Sequence, residues 1–110
     1  MPTATYKVLA QSAPSATTAT DIYTIASATQ AVISTITVCN RAATPATYRV
    51  AIRPNGASLA NQHYIAYDVA LSANDTTALT LGITADAADV VTVYASSANL
   101  SFNVFGTEVA

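Results

Sequence analysis

The chain has 110 residues, of which 52% are hydrophobic and only 9% are charged, and its formal net charge at pH 7 is −2. This length fits one domain, and four Lys and Arg residues are too few for the basic stripe with which proteins neutralise nucleic-acid phosphates. No run of about 18 apolar residues predicts a membrane span, and the first ten residues lack the charged start and apolar run of an export signal.

The first part of the chain combines short β segments with a stretch of low complexity. Residues 6–10 can form an edge strand, and residues 21–25 predict a short strand, because Val, Ile, Thr and Tyr suit a pleated surface. Between them, residues 12–20 are rich in Ser, Thr, Ala and Pro, which is typical of a loop or arm. We therefore predict one domain over residues 1–110, with residues 1–20 as an extended arm or edge strand.

The middle of the chain contains the clearest strand pattern. Residues 31–40 are rich in Val, Ile and Thr and are apolar on parts of both faces, as expected for a central strand. Residues 47–53 alternate strictly, so that Tyr48, Val50 and Ile52 share one face. This segment ends at residues 54–56, a Pro-Asn-Gly sequence that predicts a turn.

Four further β segments follow in the second half, separated by turn-forming residues. The segments are residues 63–71, 76–81, 90–95 and 100–105. In the first of them, alternation predicts a single apolar face made of Ile65, Tyr67, Val69 and Leu71. Gly106 is expected to end the last segment.

These patterns predict an all-β, single-domain fold of about eight short antiparallel strands, spaced by about 8–12 residues as in a β-sandwich or jelly roll. The pattern leaves the strand order open between a jelly roll and an immunoglobulin-like sandwich.

The titratable side chains form no recognisable catalytic motif. His63 is the only histidine, and nucleophilic catalysis would need it beside a nucleophile such as Cys39 and a carboxylate such as Asp68. Neither lies in a nucleophile motif, so we expect a hydrogen-bonding role for His63 at the start of its strand and no enzymatic activity. One Cys and one His cannot supply the roughly four ligands of a zinc site. No metal or cofactor is therefore predicted, and Cys39 is expected to be a small buried side chain.

Three aspartates, Asp75, Asp86 and Asp89, fall in predicted loops. Oxygen ligands in a loop are what calcium requires, but the spacing of an EF-hand is absent. We favour the alternative that these carboxylates accept hydrogen bonds from nearby backbone N–H groups in turns.

A row of arginines is the first candidate for an interface. Arg49 and Arg53 point to the same side of their strand. They form either an exposed strand face or a row that pairs with a carboxylate on a neighbouring subunit, because Arg favours bidentate interface contacts, and Asp68, Glu108 or a partner's acid could serve. The pattern leaves both open.

Tyrosines are the second candidate, because a tyrosine combines a large contact area with a polar tip. Of the six in the chain, Tyr48 is expected in the core and Tyr64 and Tyr67 at an interface. A surface poor in charge does little to prevent association, so we predict a homo-oligomer, such as a trimer, with Arg49 and Arg53 among its contact residues.

Three passages spread over nearly the whole chain carry a family resemblance. They are residues 6–11, residues 53–68, and residues 81–84 leading to 89–95 and then 100–108. Together they resemble small structural proteins of tailed-phage particles, particularly those of cyanobacterial phages. A turn of the Asn-Asp-Thr type at residues 74–76, an Asp at the start of the next strand and a Gly-x-Glu at residues 106–108 also resemble a broader pattern of phage head and tail β domains.

The resemblance implies a virion protein assembled in the host cytoplasm, without activity or catalytic residues. Its first interpretation is a capsid decoration, or cement, protein that binds the major capsid protein from outside and stabilises the shell. The alternatives are a tail, baseplate or fibre-associated adaptor bound to other virion proteins, and a receptor- or carbohydrate-binding β module. Neither nucleic acid nor a membrane is an expected partner.

Overall fold

Eight strands make up the fold of residues 2–110, which a computed structural model describes. Met1, the first residue of the predicted arm, lies outside the described residues. The strands are β1 (Ala4–Ser12), β2 (Thr20–Thr24), β3 (Gln30–Asn40), β4 (Ala46–Arg53), β5 (Tyr64–Leu71), β6 (Thr76–Ala85), β7 (Val90–Ala95) and β8 (Leu100–Val109). Two short 3-10 turns, Pro54–Gly56 and Asn61–His63, lie between β4 and β5. The predicted all-β fold is confirmed.

The strands form two four-stranded antiparallel sheets. Sheet A has the order β1-β8-β3-β6, and sheet B has the order β2-β7-β4-β5. The pairs β1–β8, β2–β7, β3–β6 and β4–β5 are those of one long hairpin that turns between β4 and β5. The pairs β3–β8 and β4–β7 close this hairpin into two sheets. This is the connectivity of a jelly roll, which decides the alternative that the sequence left open.

The core lies between the inner faces of the two sheets, where apolar side chains alternate with outward-facing ones. Tyr48 and Phe102 meet edge to face at its centre, with ring centroids 6.4 Å apart. Tyr48 is fully buried as expected. The side chains of β8 predicted to alternate are all buried on this face, and they are Leu100, Phe102 and Val104.

The last strand extends beyond Gly106, contrary to the sequence prediction. Gly106 lies within β8 opposite Ile33 of β3, and a Cβ at this position would stand 2.1 Å from the carbonyl oxygen of Val32. The glycine therefore permits a close approach of two backbones inside the sheet rather than ending a strand.

The predicted apolar face of the fifth strand is also wrong. Of the four predicted residues, Leu71 is buried, but Ile65, Tyr67 and Val69 are exposed, and Ala66, predicted on the opposite face, is buried. The reason is two irregularities in the β4–β5 register, one at Ile65 and one beside Tyr67. A bulge adds one residue to a strand and shifts the side chains after it to the other face, so strict alternation cannot hold.

Two loops are tied together by one buried amide. Asn40, at the end of β3, is 1% exposed. Its amide donates to the carbonyl oxygens of Thr44 (2.8 Å) and Ser72 (3.3 Å), and its side-chain oxygen accepts from the N–H of Ala42 (3.0 Å). Residues 41–45 and 72–75 are thereby fixed on the end of the sandwich, since a buried polar group needs these bonds.

Residues 13–19 connect β1 of sheet A to β2 of sheet B. Pro14 is buried, and the N–H of Thr17 donates to the carbonyl oxygen of Ala95 at the end of β7 (2.8 Å). Within residues 2–110 no helix has the length and apolar character needed to cross a bilayer.

Candidate interaction surface on sheet B

The outer face of sheet B carries a cluster around Arg49 that we call the arginine–tyrosine cluster, formed by Arg49, Tyr64, Tyr67, Asp68 and Tyr94. The Arg49 guanidinium lies 4.3 Å from the ring centroid of Tyr67 and 4.2 Å from that of Tyr94, both within the range of cation–π attraction. It also donates to both carboxylate oxygens of Asp68, with Nε–Oδ1 2.6 Å and Nη2–Oδ2 3.3 Å.

Strand register explains why these residues meet. Tyr94 of β7 stands directly opposite Arg49 on one side. On the other side, the irregular β5 presents both Tyr67 and Asp68 to the single residue Arg49, between the pairs Tyr48–Val69 and Val50–Ala66. Asp68 has a left-handed φ of 49°, which Asp tolerates better than most residues. The bulge that interrupts the alternation of β5 therefore points the Asp68 carboxylate towards Arg49.

The cluster is fixed by its own contacts. The hydrogen bonds that the Arg49 guanidinium donates to Asp68, more than the charge of that carboxylate, raise the pKa of the guanidinium above its ordinary value, so this group is a permanent cation. A guanidinium between two rings and a carboxylate has little rotamer freedom left to lose in a complex. Tyr67 nevertheless remains 56% exposed, so the cluster is pre-organised and open to contact.

Arg53 has a different environment. Its side chain is only 14% exposed and pairs with Asp21 of β2 (Nη2–Oδ2 2.7 Å). It also donates to the hydroxyl of the buried Thr92 (3.0 Å) and to the carbonyl oxygen of Ala57 (2.9 Å). The Thr92 hydroxyl donates in turn to the other oxygen of Asp21 (2.8 Å). Arg53 thus joins β2, β7, β4 and the turn after β4 within one chain.

The two arginines predicted as a row therefore both pair with carboxylates of their own chain. Asp68, one of the sequence candidates, is the partner of Arg49, whereas Arg53 pairs with Asp21, which the sequence did not suggest. Their role in contacts between chains remains a prediction. The geometry favours Arg49 for it, because its side chain is 24% exposed, against 14% for Arg53, and it stacks on the exposed ring of Tyr67.

The rings of Tyr64 and Tyr67 on β5 meet edge to face, with centroids 4.9 Å apart and planes at 83°. Together with Asn61 they line an open concavity of about 500 Å³. Two ring surfaces beside an amide offer a place for an apolar face and a hydrogen-bonding edge of a ligand.

Glu108, the other carboxylate candidate, lies away from both arginines at the opening between β1 and β2. It pairs with Lys7 (2.8 Å) and accepts a hydrogen bond from the Tyr23 hydroxyl. The hydrogen bond from Lys7, and then that from Tyr23, hold the pKa of Glu108 below its usual range. Burial, followed by the bond to Glu108, raises the pKa of Tyr23. This trio links the two sheets.

The groups weighed for catalysis are not assembled. The Nδ1 atom of His63 accepts from the N–H of Ala60 (3.0 Å) just before β5, which confirms the expected hydrogen bond at the strand start. Cys39 lies on β3 of sheet A, and Asp68 is held by Arg49. Across residues 2–110, no three His, Cys, Asp or Glu side chains come together in a group that could hold a metal ion.

Cys39 is half-exposed, which corrects the expectation of a buried thiol. Its neighbours Val38 and Asn40 are buried on the inner face of β3, so alternation turns Cys39 to the outer face of sheet A. The expectation rested on the average burial of cysteine, which cannot override strand register.

The three loop aspartates behave as the favoured alternative predicted. Asp75 accepts from the N–H of Thr76, and Asp86 accepts from that of Ala87, each at 2.8 Å. Asp89 accepts from the N–H groups of Asn55 and Asp86. Their carboxylates therefore close turns.

Sequence reasoning missed Tyr94, Asp21 and Thr92 as members of the sheet B surface. Tyr94 could have been found, because it lies in a strongly predicted strand and points away from the buried Val93. Asp21 and Thr92 could not, since their position beside Arg53 depends on the β2–β7–β4 pairing.

Comparison with protein-family models, curated proteins and solved structures finds no match for this chain.

Proposed function

We propose that the chain is a non-enzymatic structural subunit of a tailed-phage particle, and that it acts as a capsid decoration protein, bound to the outside of the shell through the outer face of sheet B. The observation that carries this proposal is the arginine–tyrosine cluster. Arg and Tyr are enriched in the contact regions of protein interfaces, and this cluster offers both on a rigid sheet with little entropy left to lose.

Two further features support the same proposal. The jelly-roll connectivity is a fold that viral capsid proteins use, although a fold alone does not determine a function. The low charge content of the chain suits a subunit that is permanently bound to other protein subunits. Three passages of the sequence that resemble small phage structural proteins support the particle as the setting.

In this proposal the major capsid protein is the partner, and the subunit assembles with it in the host cytoplasm. Tyr67 and Tyr64 would supply contact area, and Arg49, already neutralised in part by Asp68, would present its remaining donors to the partner's carbonyl or carboxylate oxygens. Arg53 would act indirectly by keeping β2, β4 and β7 in register beneath this surface.

The attachment surface can be tested with two tyrosines of the same chain. Tyr67→Ala should weaken binding of the purified protein to particles lacking it by about tenfold or more, as expected for a central contact residue. Tyr6→Ala is the matched control, because Tyr6 is 84% exposed on β1 of sheet A and should change binding by less than about twofold. Binding is measured by co-sedimentation, with thermal unfolding of each variant as the folding control. Equal binding by both variants, or the reverse order, would reject sheet B as the attachment face.

A tail, baseplate or fibre-associated adaptor is the alternative within the same particle. Copy number separates the two, because only the shell offers as many equivalent sites as there are capsid subunits. Quantitative mass spectrometry of purified particles should give a count comparable with that of the major capsid protein. A count of a few per tail would favour the adaptor, and absence from particles would reject both.

A carbohydrate- or receptor-binding module is favoured by one observation, the concavity lined by Asn61, Tyr64 and Tyr67. Jelly rolls also host lectins. Selective binding of one sugar class on a glycan array, lost in Tyr64→Ala, would support this function over decoration.

A further inference from the structure

The four edge strands of the two sheets differ in how they are protected against pairing with another chain. An edge strand presents unpaired N–H and C=O groups, and proteins blunt such edges with bulges, short strands and charged or inward-pointing residues. The edges are β1 and β6 of sheet A and β2 and β5 of sheet B.

Three of the four edges carry such devices. β1 has a register shift at Leu9 and places the charge of Lys7 at the sandwich opening. β2 is only five residues long and contains Asp21 and a register shift. β5 contains Asp68 and two register shifts.

The β6 edge is different over its first half. Residues 76–80 pair regularly with β3, and the register shift comes only at the following Leu81–Gly82 step. Residues 76–85 contain neither a charged residue nor proline, and β6 is paired on one side alone, with β3. Ala78 and Thr80 are exposed. A regular, neutral and open edge of this kind is a template for another strand.

We propose that this edge pairs with β6 of a second copy of the chain, antiparallel and about a two-fold axis at Ala78. The regular segment is its own complement in this register. Ala78 faces Ala78 on the axis, Thr76 faces Thr80, and Thr77 faces Leu79. Small side chains meet on the axis without a clash, and paired threonines on one sheet face are favourable.

The second copy is a better occupant than an unrelated strand because the match is symmetric. An isologous two-fold contact requires one patch to fit itself, and residues 76–80 do so without bringing like charges together. Asp75, which precedes the segment, faces Leu81 of the other copy in this register, so the flanking acids do not oppose each other. The contact closes as a dimer, and two copies of sheet A become one eight-stranded sheet.

This inference does not depend on the virion assignment, because it concerns the purified chain in solution. Sedimentation velocity over about 10–500 µM, a range that covers weak association, should show a concentration-dependent species of two chains. Ala78→Lys should abolish it by placing two cations on the axis. Ala4→Lys is the matched control, because Ala4 is exposed on β1, the other edge of the same sheet, and its dimer should persist.

Cross-linking tests the register independently of these variants. In a Cys39→Ser background, Ala78→Cys brings two Cβ atoms to the separation of directly opposed residues, about 4.5–5.5 Å, close to what a disulfide spans. Thr84→Cys lies exposed on the same strand but meets residue 72 of the other copy rather than itself. An oxidised dimer at position 78 that exceeds that at position 84 by about tenfold or more supports the inference. A monomer throughout, a species of three chains, or equal cross-linking at both positions overturns it.

Discussion

The two outer faces of the sandwich meet solvent with different chemistry. The face of sheet B is joined across its strands by two ion pairs, in which Asp21 and Asp68 of the edge strands reach the central arginines Arg53 and Arg49. The outward positions of sheet A in residues 2–110 carry Thr, Ser, Asn, Gln, Cys and apolar side chains instead, as the register with the buried rows shows.

The two faces therefore differ in whether their side chains stabilise the fold or are free to contact another chain. Groups on the sheet B face bond to each other, so a substitution there should lower the free energy of unfolding of the domain. Groups on the sheet A face have few partners within the chain, so a change there should leave the fold almost intact and affect contacts between chains. Sheet A can therefore associate through its edge, whereas sheet B can offer only the exposed part of a surface that already stabilises the domain.

The largest expected effect is at Arg53. Arg53→Ala should lower the free energy of unfolding by about 2–3 kcal/mol, because hydrogen bonds of a charged group contribute roughly 1.5–3 kcal/mol and the buried Thr92 hydroxyl would lose one of its partners. Urea unfolding followed by circular dichroism measures the loss. Thr37→Ala, at a half-buried outward position of the central strand β3, is the control and should cost less than about 0.5 kcal/mol. Equal losses in the two variants would contradict the difference between the faces.

The sequence predicted burial well where a strand alternates without interruption. Tyr48 and Val50 in the first part of β4, and Leu100, Phe102 and Val104 in the first half of β8, are buried as their alternation predicts. The Pro-Asn-Gly turn was equally readable, since Asn55 and Gly56 have the positive φ angles, 53° and 66°, that these residues favour.

The sequence did not predict the local irregularities that depend on a neighbouring strand. The β5 bulges exist in relation to β4, and the need for Gly106 comes from the backbone of Val32. Neither leaves a periodic signal in the strand itself. The candidate site shows the same division, because Arg49, Tyr64 and Tyr67 could be nominated individually, but their assembly with Asp68 and Tyr94 required the register.

The trio of Lys7, Glu108 and Tyr23, which links the two sheets, should make the stability of the domain depend on pH. The lowered pKa of Glu108 means that its contribution to stability is present above the carboxyl's unfolded pKa and is lost as the pH falls through the folded value. The raised pKa of Tyr23 means that its contribution is present below the ordinary value of 10.0 and is lost as the pH rises above it. We expect each loss to be about 1 kcal/mol or less, since the Lys7–Glu108 pair is partly exposed.

Thermal unfolding between about pH 3 and pH 11 tests both limbs, which lie around the ordinary carboxyl and phenol pKa values. Lys7→Met should flatten the acid limb and leave most of the alkaline limb, because burial is the first cause of the Tyr23 shift. Tyr23→Phe should flatten the alkaline limb and also reduce the acid limb in part, because Tyr23 is the second group that lowers the pKa of Glu108. If both variants kept the full pH dependence of the parent, the trio would not link the sheets energetically.

The smallest effect on the free energy of unfolding is expected at Cys39. It is the most direct test of whether the outer face of sheet A is free of contacts within the chain. Cys39→Ser should change the free energy of unfolding of the monomer by less than about 0.5 kcal/mol, because the side chain is half-exposed on the outer face of sheet A. Val38→Ala is the matched control one residue away, since Val38 is fully buried and its truncation leaves a cavity and should cost several times more. Urea unfolding at low protein concentration measures both. A cost at Cys39 equal to that at Val38 would mean that the outer face of sheet A is covered within the chain, and the difference between the two faces would then be lost.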